Sequence, residues 1–104
     1  MYLDHAATAP PRREVLEAMW PWLTQHFGNP ASHHEYGEVA KIALDQAREQ
    51  IAAQLGVHAA EIIFTSGGTE ADNLAIKGIA LAEKERKHLI VSAIEHPAVL
   101  EAAH

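Results

Sequence analysis

Glu61-Ile62-Ile63-Phe64-Thr65-Ser66-Gly67-Gly68-Thr69-Glu70-Ala71-Asp72-Asn73 is the stretch whose reading decides the fold. It opens as a short apolar run rich in β-branched and aromatic residues, the composition of a buried strand. It breaks at Gly67-Gly68 and resumes as a helix. Thr69 or a neighbour caps that helix, and Glu70 and Asp72 fall in its first turn, where acids suit the dipole. Strand, glycine turn and helix start together make an anion site. Glycine lets the backbone come close, the free N–H groups and positive helix end favour a phosphate, and Thr69 adds a hydroxyl. The loop taken alone fits a plain strand-to-helix connection equally well.

Downstream, Ala71 to Arg86 reads as a long helix. Leu74, Ala75, Ile76, Ile79, Ala80 and Leu81 make it apolar around most of its circumference, so it needs burial on two sides. The cluster Lys84-Glu85-Arg86-Lys87 suits its C-terminal end. His88-Leu89-Ile90-Val91-Ser92-Ala93 reads as a second strand, and Pro97 opens a further helix after Glu95-His96. Strand, helix, strand, helix is a βαβ unit with parallel strands, which places the chain in the α/β class. A parallel sheet needs several strands and cover on both faces. The sequence is therefore expected to be the opening section of a larger α/β protein.

Upstream, Tyr2-Leu3 reads as a short strand and Asp4 to Thr8 as a turn. Pro10-Pro11 opens a helix carrying Val15, Leu16, Met19, Trp20 and Leu23, with Pro21 predicting a kink or break near Trp20. Phe27 to Gly37 is a long polar loop punctuated by Gly28, Asn29 and Pro30, of the kind that carries function. Glu38 to Leu55 is a helix with Ala40, Ala43, Ala47, Ile51 and Leu55 in one stripe, an exposed Lys41–Asp45 pair, and Gly56 as its stop. Trp20 and Trp22 read as core or subunit-interface residues.

The composition narrows the function. With 104 residues the chain is one domain at most, and 48% hydrophobic content is that of a globular protein. A net charge of −6, without a basic stripe, argues against nucleic acid as a partner. No apolar run reaches membrane-spanning length and no leader pattern is present, so a cytoplasmic location is expected and no membrane partner. Cysteine is absent, and with it any thiol nucleophile within these residues. Of the eight histidines, His33 and His34 beside Glu35 do not read as a metal site. Adjacent loop side chains rarely converge on one ion, and no third ligand is spaced to join them.

Four motifs fall in order along the chain: Tyr2-Leu3-Asp4-His5-Ala6-Ala7-Thr8, Phe27-Gly28-Asn29-Pro30-Ala31-Ser32 with His34 after it, Ile63 to Ile76, and Glu95-His96-Pro97-Ala98-Val99-Leu100. Together they resemble the N-terminal part of the cysteine desulfurases of the NifS/IscS type, in the class V aminotransferase group. The resemblance implies the large domain of a type I aminotransferase-like enzyme using pyridoxal 5'-phosphate (PLP), with residues 1–11 an arm belonging to the small domain and 12–104 the start of the large one. It implies the conversion of L-cysteine to L-alanine, with sulfur passed to an acceptor or scaffold protein, for iron–sulfur clusters or thiolated products, in a homodimer. By this resemblance Gly68 and Thr69 contact the cofactor phosphate. His96 stacks on the pyridine ring and moves protons, although a histidine before proline also serves as a plain helix cap. Ala7 lies near the substrate carboxylate, and Asn29 and His34 lie beside the active-site mouth.

The lysine that tethers the cofactor, the nucleophilic cysteine and the aspartate that pairs with the pyridine nitrogen come later in the family pattern. Lys41, Lys77, Lys84 and Lys87 stand outside the lysine's motif, so these residues alone are expected to be inactive. Two other readings stand beside this one. One is a non-catalytic fragment or interaction module; the other is a different class V enzyme, a selenocysteine lyase or a transaminase.

Overall fold

The computed structural model describes residues 1–86 and 88–104. Lys87, the last member of the basic cluster, lies outside the described residues. The chain divides into two units, residues 1–62 and 63–104.

In the first unit, α1 spans Arg13–Thr24 and α2 spans Glu35–Leu55, followed by a single 3-10 turn at Ala59–Glu61. Helix α1 starts just after Pro10-Pro11, with Arg12 as a cap that supplies no side-chain bond. It continues through Pro21, where the sequence predicts a kink or a break, and no break occurs. Proline costs one bond, the one its missing N–H would give to Glu17, and at this position only the last turn is affected. That turn closes on Pro21 itself, whose carbonyl accepts the N–H groups of Gln25 (2.8 Å) and His26 (2.9 Å).

Helix α2 begins at Glu35, three residues before the expected Glu38. The reason is His34, whose Nδ1 accepts the Gly37 N–H at 3.2 Å and so caps the helix. Gly37, expected in the loop, is buried inside the first turn. At the other end Gly56 stops the helix in the left-handed region, φ 69°, as the sequence predicts. The Lys41–Asp45 pair forms at 2.6 Å on an open face, where such pairs contribute little, and the partly covered Arg48 joins it at 2.8 Å.

In the second unit, α3 spans Gly68–Ala82 and α4 spans Pro97–Ala103, and the two pack on each other. Helix α3 stops four residues short of the expected Arg86. At its end the Glu83 carboxylate turns onto the Glu85 N–H (3.0 Å) and the Arg86 guanidinium (3.2 Å), which closes a bend in place of another helical turn. Those bonds, the Glu85 amide foremost, hold the Glu83 carboxyl below its ordinary pKa.

No strand is present among the described residues. Tyr2-Leu3, Ile62 to Thr65, and the 88–93 run have no regular structure, and Glu61 belongs to the 3-10 turn. A strand is made by its neighbours' hydrogen bonds, and a parallel pair alone leaves both faces uncovered. The apolar composition of these segments does not by itself make a strand. The same shortfall appears in the side chains. The buried hydrophobic residues are Ala52, Ala98 and Ala102, while Leu81, Ile79 and Ile90 stand open to solvent.

Candidate active site

The anion-ready end of α3 is built by the residues around it. Gly67 is the cap, in extended backbone and without a side chain to offer, where the sequence predicts Thr69 or a neighbour. The helical ladder begins with the Ala71 N–H on the Gly67 carbonyl at 3.1 Å. The N–H groups of Gly68, Thr69 and Glu70 precede it and have no partner within the helix. They lie where the macrodipole concentrates positive charge. A Cβ placed on Gly67 or Gly68 would meet nothing within 4 Å, so the turn is uncrowded on that side. The Thr69 hydroxyl makes no hydrogen bond among the described residues, and Asn73 Nδ2 secures the Thr69 carbonyl from behind at 2.9 Å. Free amides, an available hydroxyl and open space form the donor set that a phosphate monoester requires.

The turn leading into this end is tied down twice. The Thr65 hydroxyl donates to the Gly67 carbonyl at 3.1 Å. Both the N–H and the hydroxyl of Ser66 donate to Glu70 Oε2, each at 2.6 Å. The Ser66 hydroxyl first, and its amide second, hold the Glu70 carboxyl below its ordinary pKa. This Ser66–Glu70 lock is absent from the sequence reading, which placed Glu70 only as a dipole partner. The available signal was an acid at the third helical position, where a capping box reaches back toward the chain before the helix.

His96 caps α4, its Nδ1 accepting the Ala98 N–H at 3.1 Å, with Pro97 at the first helical position. A nitrogen that accepts carries no proton, so the neutral ring holds its proton on Nε2. Nε2 makes no bond among the described residues and is available to another group.

In the first unit, Ala7 sits in a turn closed by its own N–H on the Asp4 carbonyl at 3.1 Å. The Tyr2 hydroxyl donates to the carbonyls of Asp4 (2.9 Å) and Thr8 (3.1 Å) and so straps the turn shut. Asn29 and His34 share a cavity of about 290 Å³ with Phe27, Gly28, Ser32 and Tyr36; Ala7 is not part of it. Asn29 Oδ1 accepts the Ala31 N–H at 2.9 Å and the Asn29 carbonyl accepts the Ser32 N–H at 2.9 Å. The loop lies so close to α2 that a Cβ on Gly28 would fall 2.1 Å from the Tyr36 carbonyl oxygen. Phe27 stacks on Tyr36 at 6.1 Å, a pair the sequence reading left unassigned.

Comparison with known proteins follows the same lines. The aminotransferase class-V family model matches residues 1–104. A cysteine desulfurase IscS of Dictyoglomus turgidum is 54% identical over 105 residues, covering 100% of this chain and 27% of the relative. A putative cysteine desulfurase, IscS 1, of Bacillus subtilis is 56% identical over 101 residues, covering 96% of this chain and 27% of the relative. Among solved structures, a NifS-like protein superposes with a TM-score of 0.89 at 41% identity, covering 98% of this chain and 28% of that one. The chain thus spans about a quarter of the length of the curated relatives it matches.

Proposed function

Because the chain belongs to the aminotransferase class-V family and shares its fold, we propose that it is the N-terminal portion of a PLP-dependent cysteine desulfurase. The observation that carries this reading is identity above 50%, over nearly all of its length, to proteins named cysteine desulfurases. Its open α3 terminus, with the donor set described above, supports it.

When bound, PLP supplies an electron sink that stabilises negative charge at the substrate carbon. The chain's own residues hold and serve it. The amides of Gly68 and Thr69 and the Thr69 hydroxyl bind the phosphate. The His96 ring would stack on the pyridine, with Nε2, the nitrogen that its cap leaves available, placed to move a proton. Ala7, in the turn strapped by Tyr2, leaves room for the substrate carboxylate. Asn29 and His34 shape the mouth through which L-cysteine arrives. The sulfur leaves on a thiolate that these 104 residues do not contain, since they include no cysteine.

In the same reading Ile62 to Thr65 and the 88–93 run become parallel strands once neighbours pair with them. Residues 1–11 pass to the small domain and residues 12–104 begin the large one. The working protein is a cytoplasmic homodimer that hands sulfur to an acceptor or scaffold protein.

The test is turnover of L-cysteine to L-alanine and sulfide by the full-length protein containing this chain, with PLP added. Turnover of cysteine is expected, and His96→Ala should slow it by about a hundredfold or more while PLP stays bound, the scale of a lost proton-transfer group. Transamination without sulfide release would instead favour the transaminase alternative.

A further inference from the structure

We propose that Glu70 is a positioning residue for the phosphate cup, acting through Ser66. The inference rests on the reading of Gly68 and Thr69 as phosphate ligands and extends it to a residue with no assigned role.

A carboxylate in the first turn of an anion-binding helix presents a conflict. Its charge complements the helix dipole, yet it repels the anion that the helix end is to bind. The geometry indicates how the conflict is resolved. One oxygen, Oε2, accepts both the Ser66 N–H and the Ser66 hydroxyl at 2.6 Å. The negative charge is thereby spent on two charge-assisted bonds behind the turn. Ser66 is removed from the donor set and pinned to the helix. Thr65 holds the Gly67 carbonyl from the other side at 3.1 Å. Pinned at both ends, Gly67 enters the helix in one extended conformation, and the amides of Gly68 and Thr69 have no partner within the helix. Without the Glu70 anchor, Ser66 is released, and the Gly67-Gly68 pair, with no Cβ to restrict it, samples many conformations. Each ligand would then have to reorder the turn before binding to it.

Positioning and repulsion predict opposite signs, so binding decides between them. The experiment titrates inorganic phosphate, and separately PLP, into the cofactor-free full-length protein, followed by the phosphorus resonance of the ligand and the Ser66 amide resonance of the protein. Glu70→Ala is expected to weaken phosphate binding by about tenfold, the scale of a lost charge-assisted hydrogen bond. Glu70→Gln keeps an oxygen for Ser66 and is expected to restore affinity to within about threefold of the parent, less than half of that loss. Affinity in Glu70→Ala equal to or tighter than the parent overturns the proposal, as does a Gln variant as weak as the Ala variant. If Glu70→Ala does not fold, Ser66→Ala takes its place: weaker phosphate binding supports the anchor, and unchanged binding overturns it. A parent protein that binds neither probe overturns the phosphate cup itself, and this proposal with it.

Discussion

Glu70 carries its charge under conditions that favour the anion, and this fixes how the α3 terminus responds to acid. Its folded pKa is depressed, chiefly by the Ser66 hydroxyl and then by the Ser66 amide. A group of this sign contributes stability above its unfolded pKa and loses it as pH falls through the folded value. The Ser66 lock is therefore intact at neutral pH and opens only below the ordinary glutamate range. The Ser66 amide resonance is expected to stay constant from pH 8 down to about 5 and to move upfield below that, with a midpoint lower than that of an unstructured glutamate. A midpoint at or above the ordinary value would show that the two bonds do not form in solution. For His96 the sequence shows the motif but not which ring nitrogen is left for another group; that follows from the Ala98 N–H on Nδ1.

Among the elements, α2 was the most legible and α3 the least. The stripe from Ala40 to Leu55 and the glycine after it define α2 by local rules, and its body and C-terminal stop lie where those rules put them. Its start moved because histidine rarely caps a helix and Gly37 reads as a loop residue. The constraint on Gly37 comes from backbone folded over it: a Cβ there would lie 2.3 Å from the Ser32 carbonyl oxygen and 2.7 Å from that of Asn29. Gly37→Ala should accordingly destabilise the loop and the first turn of α2 by about 2 kcal/mol, the scale of overpacking against atoms that cannot step aside. Denaturant unfolding of the full-length protein measures it; a cost near zero would mean that the loop does not close on α2. Pro21 and the strand segments mark the limits of local reading. One missing hydrogen bond near a helix end is tolerated, whereas a strand cannot exist without partners supplied from elsewhere in the chain.

At the scale of the whole molecule, exposed area dominates. The chain exposes 9156 Å², where a folded monomer of this mass exposes about 5,700 Å². Alanine supplies all of the buried hydrophobic residues, and alanine brings little apolar area to a core. The isolated 104-residue chain is expected to bind a hydrophobic dye and to lose its helical signal gradually on heating; a sharp calorimetric transition would contradict this. The two apolar runs also bear on timing. Helices closed by near neighbours form in roughly a microsecond, whereas pairing between distant strands takes on the order of milliseconds to seconds. In the proposed full-length enzyme, the apolar runs at 62–65 and 88–93 would wait during synthesis for the segments that pair with them. Until those arrive, each run is a template that any passing extended segment can extend. In that reading, the order in which pairing segments reach these two runs decides whether the full-length protein folds or aggregates.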